Sequence, residues 1–253
     1  MLPMTELSLR MRGGEEMPAL VLLHVFGLSR REWIEAGAEL AREFRVISFD
    51  TPGFGEARDV PGYGVGEMAD RFAASIAELR LERFALVGHS MTGKVAAVLA
   101  GRGLPGLEKL VLVTPSPVSP EPITPEARAS MLAQSEPSRA DAEAYVRKNS
   151  VLAIAPEIFE RAVEDRLRAN PAAWRAWLES GSYENWSERV GVLSVPTLVI
   201  AAEKDKSLGP AVQRELTLPH FGDVQLEIVE GSGHLMTLEA PERLAGLIRE
   251  FAG

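Results

Sequence analysis

The chain has no cysteine, which excludes disulfides, thiolate zinc sites and a cysteine nucleophile. Only four histidines are present, so candidates for an imidazole base are few. No HExxH motif, phosphate-binding loop or run of clustered carboxylates suggests a metal or nucleotide site. No stretch approaches the roughly 18 apolar residues that a membrane span needs. The opening segment MLPMTELSLRMRGGEEMP carries charges throughout and lacks an apolar core of signal-peptide length. Basic residues are outnumbered, with 27 Lys+Arg against 36 Asp+Glu and a formal net charge of −9. A surface of that sign repels phosphate backbones and anionic lipid. These absences predict a cytoplasmic monomer or homodimer acting on a small molecule, with no cofactor, metal, nucleic-acid or membrane partner.

What is present is an ordinary globular composition: 253 residues, 46% hydrophobic and 25% charged, enough for a substantial core. Short apolar runs alternate with amphipathic segments, the pattern of a mostly parallel sheet with helices on both faces. Residues 5–12 alternate like an exposed antiparallel edge strand. Strands are expected at 19–23, 45–49, 84–87, 109–113, 196–202 and 224–229. Helices are expected at 33–44, 66–81, 91–102, 209–218 and 241–251. The rhythm breaks from Pro115 to about Val190, a stretch rich in Ala, Glu and Arg that lacks β-branched runs. It reads as a helical insertion of residues 115–190 into a core made of residues 1–114 and 191–253.

The strongest chemical signal is LVGHSMTGKVAAVLA, residues 86–100. A buried strand runs into Gly88-His89-Ser90-Met91-Thr92-Gly93 and then directly into an Ala-rich helix. Such a turn needs small residues beside its apex and lifts the Ser90 hydroxyl out of the sheet. The Met91 N–H then points to where an oxyanion would form. An ordinary loop with a capping serine is the plain alternative. Gly231-Ser232-Gly233-His234 follows the last strand, where an imidazole can reach back over the strand ends as general base. Asp205, in AAEKDKSLGP, is placed to accept the histidine Nδ1–H, with Glu203 as its rival. The segment LLHVFG, residues 22–27, leaves the first buried strand and is expected to supply a second oxyanion donor from Phe26. Asp50 in FDTPGFG reads as structural, His89 as pointing away from the site, and His220 as a surface loop residue.

The insertion holds three of the four tryptophans and two of the three tyrosines. Trp174 and Trp177 are three apart and share a helix face. They either fasten the insertion to the core or line an apolar pocket, and they join His24, Val25 and Leu235 as candidate substrate contacts. Arg161, Arg166, Arg168 and Arg175 read as solvated helix charges.

Taken in order, the HxFG loop, DxPGFG turn, GHSMxG elbow, PTLVIAAEKD strand and loop, and GSGH with its PERL helix resemble the α/β-hydrolase family. In particular they resemble the compact esterases and C–C bond hydrolases with a helical cap. The resemblance implies an α/β-hydrolase fold with an antiparallel first strand. It also implies Ser90 as nucleophile, His234 as base, Asp205 as acid, Phe26 and Met91 as the oxyanion hole, and residues 115–190 as a lid. Two positions depart from the usual pattern: Val25, where glycine is common, and Thr92 in the elbow. The implied activity is hydrolysis of a small, largely apolar carboxylic ester through an acyl-enzyme. Hydrolysis of a C–C bond beside a ketone and cofactor-free perhydrolysis use the same residues. A protein that binds small molecules without turning them over is the reading from a different class, and Val25 is the feature that points to it.

Overall fold

A run such as Ala19-Leu20-Val21-Leu22-Leu23 has no polar face, so it is stable only as a strand covered on both sides. The computed structural model, which describes residues 9–253, places it that way. Seven strands form one sheet: β1 (Leu9–Arg12), β2 (Ala19–Leu23), β3 (Arg45–Phe49), β4 (Phe84–His89), β5 (Leu107–Val113), β6 (Thr197–Ala202) and β7 (Val224–Val229). Their spatial order is β1-β3-β2-β4-β5-β6-β7. Only β1 runs antiparallel, paired with β3 from Leu9↔Phe49 to Arg12↔Val46. Residues 5–8 of the expected edge strand lie outside the described residues.

Alternate residues of each strand enter opposite cores. Leu20, Leu22, Ala85, Val87, Val111, Val113, Leu198 and Ile200 pack with Trp33, Leu40, Leu244 and Ile248. Val21, Leu23, Leu86, Leu110 and Leu112 pack with Met68, Phe72, Val95 and Val98. The first face is covered by α1 (Ile34–Leu40) and the closing helix Pro241–Ala252, and the second by α2 (Val65–Glu78) and α3 (Met91–Gly101). The expected helix 33–44 starts earlier, as a 3₁₀ turn at Arg30–Trp33 capped by the Ser29 hydroxyl, and its α-helical part stops at Leu40. The expected helix 209–218 is a short α turn, Pro210–Val212, followed by a π turn, Gln213–Thr217. The Gln213 side chain is drawn inward there, donating to the carbonyls of Pro115 and Leu208.

Five helices fall between β5 and β6: α4 (Pro125–Leu132), α5 (Arg139–Lys148), α6 (Pro156–Arg168), α7 (Pro171–Glu179) and α8 (Ser187–Val190). Trp174, Trp177 and Leu178 of α7 join the same apolar cluster as Phe26 and Met91. A third cluster sets Ala142, Val146, Ala162 and Val163 of α5 and α6 against Val25, Leu28, Leu235 and Leu238. The insertion therefore sits over the carboxyl ends of the parallel strands, where loops from separate strands converge.

Thr92 is accommodated without opening the elbow. Its hydroxyl accepts from the His89 N–H at 3.0 Å and donates to the His89 carbonyl at 3.1 Å. Close approach of strand and helix instead depends on Gly88, where an added Cβ would lie 2.6 Å from the Thr92 carbonyl oxygen and 2.9 Å from the Ala96 Cβ. Gly88→Ala is expected to destabilise the fold by about 1–3 kcal/mol through overpacking, read as a lower midpoint in chemical denaturation.

Candidate active site

β4 delivers Ser90 into a turn with φ 55° and ψ −115°, a left-handed backbone that a non-glycine residue adopts only under constraint. The Ser90 N–H donates to the Val113 carbonyl at 2.9 Å, and its carbonyl accepts from the N–H groups of Gly93 and Ser116. The loop after β7 brings His234 Nε2 to 2.9 Å from Ser90 Oγ. The loop after β6 brings Asp205 Oδ2 to 2.6 Å from His234 Nδ1. The other oxygen of Asp205 accepts from the N–H groups of Ser207 (2.8 Å) and Leu208 (3.1 Å), which fixes the carboxylate plane. Glu203, the rival carboxylate, faces outward to the Gly231 N–H and Lys204.

Nδ1 of His234 donates to Asp205, so Nε2 is left with a lone pair aimed at the serine hydroxyl. Burial alone would push the His234 pKa down, but the charge and hydrogen bond of Asp205 outweigh it and the net shift is upward. Burial likewise disfavours the charged form of Asp205, yet the His234 charge and hydrogen bond, with the two backbone donors, hold its pKa down to about 2. The arrangement can remove a proton from Ser90 and keep the resulting imidazolium paired.

The N–H groups of Met91, at the start of α3, and of Phe26, in the turn after β2, are among those with no protein acceptor among the described residues. The Phe26 donor is held in place by His24. The Thr51 N–H donates to His24 Nε2 at 2.9 Å, so Nδ1 carries the hydrogen and donates to the Val25 carbonyl at 2.8 Å. In a trans peptide that carbonyl and the Phe26 N–H point in opposite directions. The carbonyl of Phe26 is fixed in turn by the Tyr145 hydroxyl of α5 at 2.6 Å. Burial pushes the Tyr145 phenol up, so it remains a donor.

Ser90, His234 and Phe26 open onto a cavity of about 310 Å³ that also includes Met131, Trp174 and Trp177 among its walls. The Phe26 ring stacks on Trp174 with centroids 4.2 Å apart. Three of the expected substrate contacts do not reach this cavity. Val25 is fully buried beneath α5 and α6, with its N–H donating to Glu32 at 3.1 Å. Its φ is not in the left-handed region, and Gly27 takes that conformation instead, at 81°. The β-branched side chain therefore strains nothing. Leu235 is buried in the same cluster, and His24 is enclosed behind the turn that it orients. Arg166 also departs from expectation. It is wholly buried, stacked 3.4 Å from the Trp174 ring centre and donating to the Gln134 carbonyl, because α6 faces the core at that turn. Burial pushes its pKa down to about 10.

Asp50 accepts from the backbone N–H groups of Arg30 and Glu56 and pairs with the Arg30 guanidinium. His220 is half-buried, on the Gly191 carbonyl. A wider depression of about 580 Å³, walled by Arg45, Arg83, Glu108 and Lys109 among others, lies at the opposite ends of the strands and holds none of these residues. Among the described residues no group of three His, Asp or Glu side chains is placed to hold a metal ion. No helix there is long and apolar enough to cross a membrane.

Several polar groups escaped the sequence reading. Glu121 opens onto the cavity, and burial among protein atoms raises its pKa, opposed by the charges of Lys94, His234 and Arg128. Lys94 is fully buried in α3, donating to the carbonyls of Gly181, Ser182 and Glu184. Burial pushes its pKa down to about 8. A lysine in the apolar helix MTGKVAAVLAG was the available signal. Glu32 and His89 form a fully buried pair at 2.9 Å, and His89 Nε2 meets the His234 carbonyl at 3.0 Å. His89 does stand behind the site, yet it touches the backbone of His234.

The chain matches the model of the alpha/beta hydrolase family over residues 20–247. The chain belongs to the α/β-hydrolase family. The seven-stranded sheet with one antiparallel strand is the fold of that family. Among similar α/β-hydrolases, 2-succinyl-6-hydroxy-2,4-cyclohexadiene-1-carboxylate synthase of Enterobacter sp. (strain 638) is 26% identical, over 94% of this chain and 93% of the relative. Pimeloyl-[acyl-carrier protein] methyl ester esterase of Nitrosospira multiformis is 26% identical, over 98% of this chain and 100% of the relative. The solved structure of a thermophilic esterase from Thermogutta terrifontis superposes with a TM-score of 0.78 at 28% identity, covering 96% of this chain and 92% of that one.

Because Asp205 raises the His234 pKa, the imidazole stays protonated, and unable to accept, to a higher pH than a free one. Any turnover that needs the neutral base should rise along an acid limb centred above the ordinary imidazole value of 6.5. Asp205→Asn is expected to move that limb to lower pH and to cut kcat about 10⁴-fold by releasing the tautomer, measured as a kcat–pH profile.

Proposed function

We propose that this α/β-hydrolase is a serine carboxylesterase acting on small, largely apolar esters. The observation that carries the reading is the continuous hydrogen-bonded chain Asp205–His234–Ser90 at the wall of an aromatic-lined cavity. Ser90 Oγ attacks the ester carbonyl while His234 Nε2 takes its proton. The carbonyl oxygen, now negative, is received by the unpaired N–H groups of Met91 and Phe26, each worth about 10²–10³ in rate. His234 returns the proton to the departing alkoxide, leaving an acyl group on Ser90. A water activated by the same imidazole then releases the acid.

Two further features support ester chemistry over binding without turnover. Val25, the residue that pointed to a spoiled oxyanion hole, packs under α5 and leaves the Phe26 N–H free. The similar proteins from Nitrosospira multiformis and Thermogutta terrifontis both carry the name esterase. The walls contributed by Phe26, Met131, Trp174 and Trp177 favour an apolar acyl or alkoxy group of limited size. Helices α4 to α8 act as the lid that excludes water from it.

Hydrolysis of p-nitrophenyl esters of increasing acyl length tests the reading. Turnover is expected to be greatest for short chains and to fall beyond hexanoyl, as a cavity of about 310 Å³ fills. Ser90→Ala should lose about 10⁶ in kcat. Equal, background rates for the two proteins on every ester would overturn it.

A further inference from the structure

The loop carrying His234 is held by three successive backbone contacts, each from a different part of the molecule. The Gly233 N–H donates to Glu239 Oε2 at 3.2 Å, and the His234 carbonyl meets His89 Nε2. The Leu235 N–H donates to the Asn149 carbonyl at 3.0 Å. Glu239 does more than hold Gly233. The same oxygen accepts from the N–H groups of Val151 at 2.8 Å and Leu152 at 2.6 Å, in the segment that follows α5. One carboxylate oxygen thus gathers three N–H donors, two from the helical insertion and one from the residue before the base.

Nothing else explains that carboxylate. It ends the four-residue helix Met236–Glu239, where a negative charge opposes the helix dipole. It is nearly buried, forms no ion pair among the described residues, and its second oxygen has no partner. Nor does side-chain packing hold the segment on its own. Val151 and Leu152 are 55% and 42% exposed, so their side chains face solvent while their N–H groups face Glu239. The approach is close enough that a Cβ at Gly233 would lie 2.7 Å from Glu239 Oε1 and 3.1 Å from the Asn149 carbonyl oxygen. Asn149, at the start of the segment, is itself a wall of the cavity.

We propose that Glu239 is a positioning residue that clasps the 149–152 segment to the His234 loop, so that seating of the insertion and alignment of the base are one event. It rests on His234 being the general base proposed above. Without the carboxylate the three N–H groups lose a shared charged acceptor, and among the described residues the backbone hydrogen bond that still joins segment and loop is Leu235–Asn149. The base then drifts as the cavity wall loosens. A misplacement of about 1 Å in such a group is enough to cost about 10²-fold.

Glu239→Ala and Glu239→Gln test this, with kcat, KM and amide exchange measured on the full chain. For Glu239→Ala, kcat should fall about 10–100-fold, and KM should rise more for bulky than for short esters. Exchange at Val151, Leu152, Gly233 and Leu235 should quicken together while the β4 and β5 amides stay protected. Glu239→Gln keeps an acceptor oxygen and should recover part of both effects. The proposal is overturned if either variant loses thermal stability with kcat and KM unchanged. It is also overturned if exchange quickens at Val151 and Leu152 but not at Gly233 and Leu235. Should the wild type hydrolyse no ester at all, the reading of function fails, while the exchange data still decide whether Glu239 couples segment and loop.

Discussion

A carboxylate and an imidazole 2.6 Å apart, both removed from bulk water, set the terms for the rest of the site. Burial opposes charge on each partner alone, and their attraction in a poorly screened setting outweighs that opposition for both. One orientation of the ring follows, with a lone pair on Nε2 facing Ser90. That single constraint reaches outward. His234 can hold this position only if its loop is fixed, and the loop is fixed by the elbow through His89, by Glu239 and by the insertion through Asn149.

The two-sided sheet supplies the frame. Alternate strand residues lock two cores in register, which leaves the carboxyl ends of β2, β4, β6 and β7 as the places where Phe26, Ser90, Asp205 and His234 emerge. The insertion then works from the other side. Tyr145 holds the Phe26 carbonyl, Trp174 stacks on the Phe26 ring, and Arg166 stiffens Trp174 from behind. Asp165 of α6 accepts from the Ser29 hydroxyl at 2.6 Å and from Arg31, tying the same side of the core. The insertion and the hydrogen-bonded Asp205–His234–Ser90 chain are therefore mechanically linked rather than separate pieces.

Much of the frame was readable because apolar runs respond to local rules. Residues 19–23, 45–49 and 224–229 form strands within those same limits. Ser90 and His234 could be singled out because each stands in a short turn with glycine close by, and Asp205 because of its place just beyond β6. Direction was not readable. Val25 and Leu235 flank the site in sequence, but the loops turn them away from the cavity into packing against helices more than a hundred and roughly seventy to ninety residues distant, respectively. Glu239 and Glu32 were missed for the related reason that their partners, Val151 and His89, lie 88 and 57 positions away. Arg166 was misread because the face that α6 turns inward depends on docking over Trp174, which periodicity alone does not reveal.

The central claim is that Ser90 is a nucleophile activated by His234, and its most direct measurement is covalent labelling by a fluorophosphonate followed by intact and peptide mass. The account predicts one adduct per chain, located on Ser90, forming quickly in the wild type and about 10³-fold or more slowly in His234→Ala. An adduct on another residue, or labelling of Ser90 at the same rate without His234, would contradict it.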